Sequence, residues 1–443
     1  MTRNILFPLL IAWPLSTAAQ TLPLPDPVTD ADFPPLNMDE VRLGRLLFWD
    51  PILSGSREVS CGTCHHPRFG TSDGLSLGLG DGARGLGDDR RVVPENLPEQ
   101  RIPRNSPALF NLAAHEFTAL FHDGRAEVDP TRPSGFRTPL EDQMVVGFTS
   151  LLSAQNMFPV LSNDEMAGHY EENEISVAVR QGLITGPGGA WDRIAQRVAA
   201  IPDYAEAFAA LDQGIGRARP LAFTDISNAI AAFVAFEWRS DSAPFDAVLR
   251  GETVLEGEAA AGAALFYGTA GCSTCHSGKF LTDQKFHAMA EPQIGPGKAE
   301  RFERHSRDIG RMRVTNDPAD AYAFRTPSLR NVTLTAPYGH AGAHRDLEAF
   351  LAYHADPVAG LAAYDPAQAV LPDLPGTKPD FAVLENADER AAIAAAVKVP
   401  PVILTAQDRA ALIAFLKTLE DPVAISGRLG IPEAVPSGLP VDR

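Results

Sequence analysis

Apolar side chains recur at three- and four-residue intervals in several stretches of this chain, the signature of helices that bury one face. The pattern predicts helices over residues 41–48, 175–182, 191–199, 204–211, 223–238 and 259–267. A last helix runs from about 406 to 419, capped by Thr405, with Leu412, Phe415, Leu416 and Leu419 on one face. Another begins after a cap at Asp346, where Leu347, Phe350, Leu351 and His354 fall at i, i+3, i+4 and i+7. Strict alternation is weak throughout, so the class is mainly α. The 37 Pro and 36 Gly fall largely between these helices and imply long irregular connections. Residues 66–106, with Gly78, Gly80, Gly82, Gly85 and Gly87, read as a flexible surface loop; residues 355–385 read as a Pro-rich connection.

Composition narrows the picture. A chain of 443 residues exceeds one ordinary domain, and two or three are expected. Arg3, the apolar run 5–15 and Thr17-Ala18-Ala19 read as a signal peptide over residues 1–20, which implies a periplasmic location. That run is too short to span a bilayer, and no later stretch is long enough for stable membrane insertion. The net charge of −18 argues against nucleic acid as a partner.

All four cysteines fall in two C-x-x-C-H motifs, Cys61-Gly62-Thr63-Cys64-His65 and Cys272-Ser273-Thr274-Cys275-His276. Each motif can form two thioethers to the vinyl groups of one haem, with the adjacent His ligating iron. A redox dithiol or a metal clip is the alternative. Leu47-Phe48-Trp49 precedes the first motif as Leu265-Phe266-Tyr267 precedes the second, an imperfect repeat that suggests two cytochrome-like units. His354, projecting from an apolar helix face, is the candidate sixth ligand of the second iron; Tyr353 lies on a different face.

Further motifs carry a resemblance. Phe324-Arg325-Thr326-Pro327-Ser328-Leu329-Arg330-Asn331-Val332, the run from Leu334 to Gly342, Arg104-Asn105-Ser106-Pro107 and His122-Asp123-Gly124-Arg125-Ala126 resemble the bacterial di-haem cytochrome c peroxidase family and its MauG-like branch. The resemblance covers most of residues 38–420. It implies two cytochrome c-like domains packed around an interface: an N-terminal peroxidatic domain at 38–245 with inserted helices, and an electron-transfer domain at 246–400. Residues 401–443 would form a helix and tail packing back on the first. The haem on His65 would react with peroxide, and that on His276 would store or relay electrons. Glu165 would act as acid–base and Gln143 would orient the peroxide, with 144–158 an insertion between them. The resemblance also implies calcium, held by the Asn105 side chain and the carbonyls of Thr335 and Pro337, all hard oxygens. His340 matches a position kept as His near the second haem.

Three departures matter. His354 stands where the peroxidases usually have Met and MauG-type enzymes Tyr, and a His/His pair lowers the reduction potential relative to His/Met. Residues 67–114 contain no His, so the Gly-rich loop cannot cap the first iron; His66, His115, His122 and His169 are the formal alternatives. His122 replaces the Trp that the peroxidases place between the haems, and reads equally as an inter-haem bridge or a packing residue. The expected function is an exported oxidoreductase with two covalent haem c groups that reduces hydrogen peroxide. Its electrons would come from a small cytochrome, a copper protein or a protein substrate. The alternative is a di-haem electron carrier without peroxidase activity.

Overall fold

Five helices position the site, and side-chain caps open three of them. In the computed structural model, which describes residues 23–298, 305–376 and 379–443, Asn37 accepts a hydrogen bond from the Asp39 N–H and opens helix α1, Met38–Phe48. Helix α2 is Phe223–Glu237, α3 is Gly257–Phe266, α4 is Leu347–Ala355 and α5 is Ala406–Lys417. Asp346 caps α4 and Thr405 caps α5 through backbone N–H groups three residues on. The expected signal peptide lies outside the described residues.

The imperfect repeat is real in three dimensions. In the first half α1 crosses α2; in the second α3 crosses α5. Both crossings turn on a glycine: a Cβ on Gly44 would sit 1.8 Å from the Ala229 carbonyl oxygen, and one on Gly262 would sit 1.9 Å from that of Ala411. Four residues beyond each carbonyl, Phe233 and Phe415 close the contact. Each crossing has its own aromatic core. Phe48 and Phe233 pack around Trp238 in the first, Phe245 and Phe266 around Phe415 in the second.

Glu174–Arg180, Ala190–Ala199 and Pro202–Leu211 add to the first half as the periodicity predicts. Three further helices were not legible: Leu151–Gln155, Pro244–Leu249 and Ala387–Ala395. Pro357–Ala362 falls inside the expected Pro-rich connection, where Asp356 caps a helix with Pro at its first position. Among the described residues the strands are two or three residues long and form three small antiparallel sheets. No helix among the described residues is long and apolar enough to cross a membrane.

Two expectations are corrected. The Gly-rich run is not a flexible surface loop: residues 75–83 are buried. Bare backbone there approaches other backbone closely; a Cβ on Gly80 would lie 2.2 Å from the Asp164 carbonyl oxygen. The buried Arg90 guanidinium ties the run together by donating to the carbonyls of Leu79, Gly80 and Gly85. Ser76 anchors it to the second half, its N–H on the Val370 carbonyl (2.9 Å) and its hydroxyl on that of Gly342 (2.5 Å). The segment 401–443 also divides. Helix α5 belongs to the second crossing, while the tail lies on the first half, where Glu237 accepts the N–H groups of Leu429 and Gly430.

Candidate active site

Cys61–Cys64 forms a single helical turn, and His65 follows as its cap. His65 Nδ1 donates to the Thr71 carbonyl at 3.0 Å, which leaves Nε2 as the free ring nitrogen. His65, Cys61 and Cys64 line one side of a cavity whose remaining wall is largely apolar, with Phe48, Leu152, Phe223 and Val234. All four thiols are free. Burial pushes the Cys61 and Cys64 thiols up to about 12 and Cys272 to about 11. An activated redox dithiol needs the opposite shift. Two free thiols beside a His nitrogen and an apolar slot fit a covalent haem.

Glu165 faces the same cavity. It sits in the π-turn Asn163–Ala167, and its carbonyl accepts the Asp81 N–H of the buried glycine run at 2.9 Å. The expected amide lies elsewhere. Gln143 lies exposed on the turn Glu141–Gln143, away from the cavity wall. Gln155 lines the wall instead, and its buried Oε1 has no hydrogen-bond partner. The expected insertion 144–158 therefore builds part of the site. Its signal was present: Ser150 caps an apolar turn, Leu151, Leu152 and Ala154, too short for periodicity to register.

Of the four formal capping residues, His66, His115 and His169 do not line the cavity. His122 does. Its Nε2 donates to the Asn105 carbonyl at 3.0 Å, and burial with the Arg104 charge lowers its pKa to about 4, so the ring is neutral. Asn105 spends its amide nitrogen on the Leu75 carbonyl (2.8 Å). Thr335 immediately precedes the cis Ala336–Pro337 peptide.

At the second motif His276 Nδ1 donates to the Leu281 carbonyl at 3.2 Å. The His354 ring, carried by α4, lies 6.4 Å from that of His276. Tyr353 is turned elsewhere: its ring stacks on His344 and its hydroxyl donates to the Met289 carbonyl. His340 Nδ1 bonds Glu291 at 2.6 Å, and its ring stacks on Phe324 at 3.7 Å. Burial pushes the Glu291 carboxyl up, but the His340 bond and charge outweigh it and bring it down to about 2.

A buried ion cluster joins the halves. Arg104 Nε and Nη2 reach both oxygens of Asp308 at 2.7 and 2.8 Å, and its Nη1 lies 2.7 Å from Asp123. Arg125 pairs with Asp123 at 3.1 Å and lies over the Phe121 ring.

Comparison with known proteins agrees with this geometry. A family profile described as "Di-haem cytochrome c peroxidase" matches residues 38–254. The chain is 29% identical to the methylamine utilization protein MauG of Methylorubrum extorquens, over 91% of this chain and 84% of that protein. It is also 29% identical to the cytochrome c551 peroxidase of Pseudomonas aeruginosa, over 72% of each. Among solved structures, a MauG-like protein associated with microbial copper homeostasis superposes with a TM-score of 0.56 at 26% identity, covering 94% of this chain and 97% of that one. The diheme peroxidase BthA of Burkholderia thailandensis shares the fold, with a TM-score of 0.58 at 21% identity over 92% of this chain and 91% of its own.

Proposed function

The chain belongs to the di-haem cytochrome c peroxidase family that includes MauG, and on that premise we propose that it reduces hydrogen peroxide at a first haem held by Cys61, Cys64 and His65. Cys272, Cys275, His276 and His354 would hold a second haem, which would supply electron relay to the donor. When bound, the haems supply the iron that takes peroxide and the electrons that reduce it.

The protein's own groups do the rest. Glu165 moves a proton between the peroxide oxygens, and Gln155, with an orphaned amide oxygen on the same wall, orients the substrate. The observation that carries the reading is that Glu165 and Gln155 share one cavity with His65 and both cysteines of its motif.

The buried glycine run brings no His to that cavity, and His122, which lines it, spends its Nε2 on the Asn105 carbonyl, so the first iron would be open at rest, as in the MauG-like branch. His122, neutral and bonded to Asn105, would stand between the two haems. Asn105 with the carbonyls of Thr335 and Pro337 would hold calcium. The enzyme works in the periplasm, and its donor is a small cytochrome, a copper protein or a protein substrate. Rapid mixing of the all-ferric holoprotein with peroxide tests the core of this. Immediate spectral conversion supports it, and a silent protein that also fails after one-electron reduction refutes it.

A further inference from the structure

A polar cavity of about 840 Å³ adjoins the first one. Three side chains line both and so frame the doorway between them: Arg125, Glu165 and Lys298. Arg125 is committed to Asp123 and to the Phe121 face. Lys298 is different in origin, since it comes from the second half of the chain.

Its backbone is brought there by a pinned segment. The Gln293 side chain brackets Asp308, donating to its carbonyl (2.6 Å) and accepting its N–H (3.0 Å). The Gly295 N–H donates to the Asp380 carbonyl at 2.6 Å. Gly297, at φ +68°, passes so close to Ser306 that a Cβ would lie 2.0 Å from its carbonyl oxygen. Glu165 and Asp123 favour the charged ammonium, while burial, Arg125 and Arg104 oppose it. The balance brings Lys298 down to about 8, so the ammonium prevails at neutral pH. Asp164, His305 and Arg313 face the outer cavity.

We propose that Lys298 is a further catalytic residue of the peroxide reaction, its ammonium hydrogen-bonding the departing oxygen opposite Glu165. This rests on the peroxide reading above. The Glu165 carboxylate takes the proton from the inner oxygen, and the O–O bond breaks with its electron pair on the outer oxygen. Lys298 stabilises that developing negative charge until Glu165 delivers the proton and the outer oxygen leaves as water. The two electrons come from the bound haem, and Lys298 ends with the protons it began with.

The test uses holoprotein carrying Lys298→Met or Lys298→Arg. Two readouts are followed: the rate of peroxide reaction, and the affinity of the ferric first haem for azide, read by absorbance. Lys298→Met should slow the peroxide reaction by ~10²-fold, the scale of one lost preorganised donor. Azide affinity should fall by about tenfold, because a nearby cation is gone. Lys298→Arg should restore most of both. Unchanged rate and affinity in Lys298→Met, beside a reactive wild type, overturn the proposal. So does haem loss or a lowered melting point shared by both variants, which marks a structural role. A wild type inert to peroxide refutes the underlying function instead.

Discussion

The imidazoles of His276 and His354 face each other with ring centres 6.4 Å apart and planes inclined at 45°. Two imidazoles bound to one metal from opposite sides, with metal–nitrogen bonds of about 2 Å, require a separation of roughly 6 Å. His354→Ala should therefore convert a low-spin haem to a high-spin or water-ligated one and leave the other haem unchanged. Paramagnetic resonance should show one high-spin and one low-spin haem in the resting wild type. Two low-spin haems at rest would return the protein to the reductively activated peroxidases.

The placement of the two glutamines makes a sharp comparison. Glu165→Gln should retain both haems and slow the peroxide reaction by ~10²–10⁴-fold, the scale for a general acid–base group. Gln155→Leu should slow it by ~10²-fold. Gln143→Leu, on an exposed turn, should react like wild type. A slow Gln143 variant beside a normal Gln155 variant would reverse the assignment.

Haem content is a direct count. Mass spectrometry of the denatured protein should give the polypeptide plus two haems, with no thiol left to alkylate, because all four cysteines sit in the two motifs. A single haem would contradict the two-site reading.

Acid should loosen the joint between the halves. Burial raises the Asp308 carboxyl, but the charge and hydrogen bonds of Arg104 outweigh it and bring it down to about 2. A depressed carboxyl stabilises the fold fully above its unfolded pKa of about 4 and loses that contribution as pH falls through about 2. Asp308→Asn should cost about 2–4 kcal/mol at pH 7, since Asp123 still partners Arg104. Urea melts should show the gap to wild type closing towards pH 2; a constant gap would place the stabilisation elsewhere.

The covalent haem motifs and the long helices were legible because their signals are local: fixed spacing in one case, apolar period in the other. The pairing of Gly44 with Ala229 and of Gly262 with Ala411 was not, since nothing local says where two helices meet. Glu165 came only through resemblance. Gln155 was missed because its helix is one turn long and looked like an insertion. The glycine run was misread for a related reason. Sequence shows that glycine lacks a side chain, but only the fold shows that other backbone occupies the space. Lys298 carried no signal, because its partners lie in the other half of the chain.

Thr63, between the two cysteines of the first motif, donates its hydroxyl hydrogen to Asp442 at 2.5 Å, across nearly the whole chain. Contacts so distant in sequence form late, because the intervening loop must close first. In the folded chain the tail therefore covers the first motif through this bond, and covalent attachment at Cys61 and Cys64 would have to precede it.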